Sequence, residues 1–171
     1  VFVSKGSDNN NRLYYADLGD PKRPNVAAAV KPVVETDDAE YSPIGNRGSV
    51  IYLRTDRGAS NRKVVAIDLQ KPAPSAWKTV VPERKEAIED AALIGGRVVV
   101  QYLVDVQSRL ALFGLDGRSQ GEIALPAAGT VARFVGREDT PEIFYAFSSP
   151  IYPTTVFRYD PETKQSTAFE A

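Results

Sequence analysis

Short apolar runs, each closed by an acid and a turn, recur along the chain. "NRLYYADLGD" at residues 11–20 returns as "NRKVVAIDLQ", "SRLALFGLDG" and "TTVFRYDPET". Aligned on their acid, Asp17, Asp68, Asp116 and Asp160 stand 51, 48 and 44 residues apart. A period of about 40–50 residues with several strands per repeat is the signature of propeller blades. Helical repeats of similar length exist, so the type of residue in each run has to decide. Ser49 to Leu53, Val64 to Ile67, Val98 to Val104, Leu110 to Phe113, Ile143 to Phe147 and Thr155 to Tyr159 are rich in β-branched and aromatic residues. Turn-forming clusters such as "SPIGNRG", "KPAPS", "LDGRS" and "DPETK" separate them. Twelve Gly and twelve Pro are spread too evenly for long helices. "PERKEAIEDAAL" at 82–93 lacks an apolar face at helical spacing and reads as a connector, or at most a turn of helix.

The runs divide into strands, four to a repeat. One set runs from Glu40 through "IYLRT" and "VVAIDL" to "WKTVVP". The next runs from Ile88 through "RVVVQYLVD" and "LALFGLD" to "EIALP", and a third from Thr130 through "IFYAFSS" and "VFRYD" to "STAFE". "VFVSK", "LYYADL" and "VKPVVET" read as strands two to four of a blade without its first. The expected fold is all-β: a β-propeller of about three and a half four-stranded blades, with an incomplete blade at 1–37 and blades at 38–83, 84–127 and 128–171. The recurring phrase is the third strand of each blade. Its Asp has a local structural use, because Asp carboxylates bond nearby backbone N–H groups in turns.

A chain of 171 residues with 43% hydrophobic and 25% charged residues suits a globular domain. A net charge of −1 gives no electrostatic reason to expect nucleic acid or an anionic membrane as partner. No window approaches the roughly 18 apolar residues of a membrane span, and "VFVSKGSDNN" has no signal-peptide pattern. The chain begins at Val1 rather than Met, so its natural N-terminus is expected further upstream. Nothing fixes the compartment: cytoplasm and periplasm both remain open. With no Cys and no His, disulfides, thiol nucleophiles and Cys-type zinc sites are excluded. A Ser-His-Asp triad cannot be assembled from this chain. No calcium-loop spacing is present, and no cofactor or metal is expected.

The carboxylates of "ETDD" with Glu40, and of "EAIED" at 86–90, could serve glycoside chemistry only across a cleft of defined width. Beside strand ends they are expected to be solvated loops. Tyr14, Tyr15, Tyr102, Phe144, Tyr145 and Phe147 are expected between blades, and Trp77 as a blade-to-blade or edge-packing residue.

Taken in order, "NRLYYADL", "EYSPIGNRGSVIYLRTDRGASNRKVVAIDL", "PSAWKTVVPERKEAIEDA", "YLVDVQSRLALFGLDG" and "EIALPAAGTVARFVGREDTPEIFYAFSSPIYPTTVFRYD" resemble the propeller of the prolyl oligopeptidase family across nearly the whole chain. The resemblance implies the later blades of a seven-bladed propeller. It implies a serine peptidase whose separate α/β-hydrolase domain carries the triad and cleaves short peptides after proline, with the propeller excluding large folded substrates. The Gly-x-Ser-x-Gly elbow has no counterpart here; "RGASNRK" lies in a polar loop between strands. The implied partners are that catalytic domain, the remaining blades of the same protein and a peptide substrate. One binding position carries over. The family's propeller Cys, which lines the pocket for the residue two before the proline, lies four residues before Asn-Arg-Leu, and Ser7 stands at that place. Without the resemblance, Ser7 is a loop serine in "KGSDNNN". Open blade faces need cover, so self-association of half-propellers is a further expectation. A free-standing propeller scaffold that binds a peptide or protein without catalysis is the alternative function.

Overall fold

The computed structural model describes residues 2–4 and 9–169. Among the described residues, fifteen strands form four antiparallel sheets in strict chain order. The first sheet has three strands: β1 (Phe2–Ser4), β2 (Asn11–Ala16) and β3 (Val30–Val34). The second contains β4 (Tyr41–Arg47), β5 (Val50–Thr55), β6 (Lys63–Asp68) and β7 (Lys78–Val81). The third contains β8 (Ile88–Ile94), β9 (Arg97–Val104), β10 (Gln107–Gly114) and β11 (Ser119–Ile123). The fourth contains β12 (Thr130–Val135), β13 (Ile143–Ser149), β14 (Tyr152–Asp160) and β15 (Gln165–Ala168). The fold is all-β with propeller-type sheets. Among the described residues the one helical element is a 3-10 turn at Pro74–Ala76.

Stacking of sheets explains the burial patterns. β9 is buried almost without a break, because both of its faces meet a neighbouring sheet. Val98, Val100 and Tyr102 pack with Tyr52, Val64 and Val81 of the second sheet. Val99, on the opposite face, packs with Leu110, Leu112, Tyr145 and Phe157 toward the fourth. Period-two alternation of side chains sends neighbouring residues to different cores.

The segment 82–93 separates into two parts. Residues 82–87 connect sheets without a helix, and Ile88–Ile94 is strand β8. Its alternation is broken by a register shift between Ile88 and Asp90, which leaves Glu89 as an extra residue. Buried Ile88 and Ala91 therefore fall three residues apart, a spacing that resembles a helix. The first strands of the second and fourth sheets carry the same irregularity, between Pro43 and Gly45 and between Val131 and Arg133.

The acid of each repeated phrase does one job four times. Asp17, Asp68, Asp116 and Asp160 each accept a hydrogen bond from the backbone N–H two residues on, at Gly19, Gln70, Arg118 and Glu162, over 2.8–3.0 Å. These turns join third strands to fourth strands. With the hairpins joining first to second strands they define one face of the stack, here called the turn face. The connections between sheets, and those from second to third strands, define the opposite crossover face.

Candidate functional site

The crossover face carries most of the polar organisation. Ser7 falls between β1 and β2 and lies outside the described residues; the flanking Ser4 and Asn11 are register partners. Asn11, the anchor from which Ser7 was counted, is buried at 5% exposure. Its Nδ2 donates to the Tyr41 carbonyl at 3.0 Å and its Oδ1 accepts the Tyr41 N–H at 2.7 Å. Its own backbone N–H donates to the Ala39 carbonyl. One amide side chain thus satisfies both backbone groups at the start of the next sheet, as buried peptide groups require.

The same place in the next two sheets does the same work with different chemistry. Asn61 accepts the Ile88 N–H on its carbonyl, and its side-chain Nδ2 donates to the carbonyls of Arg84 and Lys85. Arg62, held at φ 67°, donates from Nη1 to the Ile88 carbonyl at 3.0 Å. Ser108 donates its backbone N–H to Gly129, and its Oγ accepts the Val131 N–H at 2.9 Å. Gln101 Nε2 donates to that Oγ and to the Val131 carbonyl. Asn11, Asn61 and Ser108 are the first letters of three repeats of the opening phrase. Each latches its own sheet to the first strand of the next. Sequence reasoning missed this role, although the recurring Asn or Ser ahead of Arg was its visible signal.

Charge is concentrated between the second and third sheets. Glu40 is not a solvated loop acid: its Oε1 meets Arg54 Nη2 at 2.6 Å and its Oε2 meets Arg62 Nε at 3.1 Å. Burial pushes the Glu40 carboxyl up, but hydrogen bonds and charge from Arg54 and Arg62 outweigh it, and the net displacement is downward. Arg54 also donates to the Glu89 carbonyl and lies 3.9 Å from Asp90. With Glu40 held between two arginines and Asp37, Asp38, Glu86 and Asp90 each within 4 Å of an arginine, these carboxylates are unsuited to acid–base work. Asp38 is held low chiefly by the Tyr41 hydroxyl, which donates to it at 2.6 Å; burial opposes this, and the Thr36 hydroxyl and Arg57 add to the lowering. Burial, reinforced by Asp38, raises the Tyr41 hydroxyl far above the ordinary tyrosine range.

The aromatics serve as packing residues. Trp77 meets Tyr41 edge-on at 6.1 Å, lies under the Arg57 guanidinium and donates Nε1–H to the Pro72 carbonyl. Tyr145 stacks on Phe157 at 5.4 Å, and Phe147 packs edge-on against Tyr152 and Phe157. Among the described residues no group of three or more His, Cys, Asp or Glu is placed to hold a metal ion. On the turn face a groove of about 610 Å³ separates the first two sheets, lined by Tyr14, Tyr15, Pro43, Asn46, Ile51 and Leu69 among others. The arrangement supports rigid stacking and a polar, latched crossover face.

Comparison with known proteins places this arrangement. Residues 1–171 match the family model described as the prolyl oligopeptidase N-terminal beta-propeller domain. A prolyl endopeptidase of Elizabethkingia miricola is 27% identical over 170 residues, which are 99% of this chain and 23% of that protein. The dual function macrocyclase-peptidase POPB of Amanita bisporigera is 31% identical over 171 residues, covering 96% of this chain and 23% of its own length. A chain from a structural study of two prolyl endopeptidases superimposes with a TM-score of 0.87 at 28% identity, covering 99% of this chain and 24% of that one. Prolyl oligopeptidase B from Galerina marginata, bound to a 25mer macrocyclization substrate, gives 0.85 at 26% identity, with 99% and 24% covered. This chain spans about a quarter of the length of these relatives. A match along its entire length, with the same sheet architecture, means that the chain belongs to the prolyl oligopeptidase family, within the N-terminal beta-propeller domain.

Proposed function

We propose that this chain is the blade array of a proline-specific serine oligopeptidase. It shapes the chamber in which peptides are cut and screens them by size, while a hydrolase domain of the same protein supplies the nucleophile, base and acid. The observation that carries this reading is the whole-chain family match combined with the absence of any His in 171 residues. Latched seams favour it, because a size filter must resist being pried apart by its substrates. The units that act together are 1–37, 38–83, 84–127 and 128–171, with further blades of the same protein covering the two open ends. Ser7 is proposed as part of the wall around the substrate residue two before the proline.

The purified chain is expected to leave a chromogenic Gly-Pro substrate uncut. Turnover that a serine-directed reagent abolishes would overturn the division of labour. In the intact protein, Ser7→Leu should lower KM for substrates with an apolar residue two before the proline and leave kcat unchanged. An unaltered KM would remove Ser7 from the pocket.

A further inference from the structure

Three sheets interlock on the turn face at the ends of their first strands. At Gly95 (φ 54°) an added Cβ would lie 2.7 Å from Pro141 Cα and 2.8 Å from the Thr140 carbonyl oxygen. At Gly136 it would lie 2.3 Å from Ile94 Cγ2. The Gly95 N–H donates to the Arg137 carbonyl at 2.9 Å. The turn between β8 and β9 is therefore seated directly in residues 136–142, the loop between β12 and β13, with glycine at the points of backbone approach.

A second tether reaches the same loop from further away. Arg47, at the end of β4, brings Nε within 2.7 Å of Glu138 Oε1. This joins the second sheet to the fourth across the third. It passes over Gly96 (φ 72°), where an added Cβ would meet the Arg47 guanidinium at 3.4 Å. The Gly96 N–H donates to Glu138 Oε2 at 3.4 Å, so the acid is shared between the arginine and the intervening turn. No linear hydrogen bond reaches Glu138 Oε1, which makes the contact with Arg47 chiefly ionic. The side chains of Arg47 and Glu138 are 54% and 36% exposed as wholes, so solvent and salt reach the pair from the arginine side, while Glu138 Oε1 itself is covered.

We propose that residues 136–142 form a strap across the first strands of three sheets, pinned by the Gly95–Arg137 bond and clasped by an Arg47–Glu138 pair that ionic strength loosens. The glycine interlock is the fixed element and the ion pair the adjustable one. Loosening the clasp lets residues 136–142 lift more often from the turn between β8 and β9, which exposes the Gly95 N–H.

Amide hydrogen exchange on the 171-residue chain tests this. In low salt, Arg47→Gln should speed exchange of the Gly95 amide, which the strap protects through the Arg137 carbonyl, about two- to fivefold, the range a surface ion pair supplies. Leu110 to Phe113, in the middle of the third sheet, should keep wild-type protection and so report an intact fold. Adding 1 M salt should loosen the wild-type strap to the same degree and leave the variant unchanged. The double exchange Arg47→Glu with Glu138→Arg should restore slow, salt-sensitive exchange. Wild-type protection in Arg47→Gln, or a double exchange that stays loose in low salt, would overturn the proposal.

Discussion

The seam between the second and third sheets and the seam between the third and fourth follow one backbone plan with different side chains. In the first, small aliphatic residues such as Val64, Ala66, Ala91 and Val100 fill the interior between Tyr52 and Tyr102. Its crossover rim is charged, with Glu40 between Arg54 and Arg62 and both arginines donating to carbonyls of β8. In the second, Phe134, Tyr145, Phe147, Phe157 and Tyr159 fill the interior, and the latch is the neutral Ser108 with Gln101. What both seams keep is satisfaction of the backbone where the next sheet begins. A blade junction thus needs a donor and an acceptor at that point; the chemistry supplying them is interchangeable, and it sets how the junction responds to solution conditions.

The largest way to break this contrast is through the interiors. Phe147→Ala should cost about 3–5 kcal/mol in denaturant unfolding, as for other buried aromatics. Val100→Ala, in the aliphatic seam, should cost about 2 kcal/mol from lost transfer energy and a small cavity. Equal losses would mean that the large aromatic side chain adds no more to its seam than a small aliphatic one adds to the other. Ser108→Ala comes next, at about 1–3 kcal/mol, because it strands the buried Val131 N–H and removes one of the two acceptors of the Gln101 amide. That loss should be the same in low and high salt and between pH 3 and 7. A salt-dependent loss would contradict a neutral latch.

Glu40→Gln should cost about 1–2 kcal/mol at pH 7, a charge-assisted bond discounted for partial exposure. The sign of its pH dependence follows from the lowered carboxyl. Stability from Glu40 is fully present above the unfolded glutamate pKa of about 4.3 and is lost as pH falls through the lower folded value. Wild type and variant should therefore converge in acid, and a gap that persists at pH 2 would remove the ion pairs as its cause. The smallest effect is expected at the turns. Asp68→Ala should cost about 0.5 kcal/mol, since its bond to the Gln70 N–H is local and exposed.

What the sequence made legible was local. The four acids could be read as turn formers because each bonds a backbone group only two residues away. The strands were legible from β-branched and aromatic runs, and the family from five phrases in order. The latches were not, although their residues head the same phrases. Asn11 acts on Tyr41, thirty residues on, and nothing in its neighbours announces that partner. Glu40 looked like a solvated acid because Arg54 and Arg62 lie 14 and 22 residues away. β8 resembled a connector because its bulge at Glu89 destroys the period of two. Burial and pairing across sheets are properties of the stack, which no short window of sequence contains.

The central claim is that these latched sheets enclose a chamber and do not themselves cut peptides. It is tested most directly in the intact protein, by comparing kcat/KM for a chromogenic Gly-Pro peptide with that for a folded, proline-containing protein. The wild type is expected to cleave the peptide and spare the folded protein, and Ser108→Ala, which loosens a seam, should narrow that preference. Cleavage of both substrates at similar rates by the wild type would contradict the account.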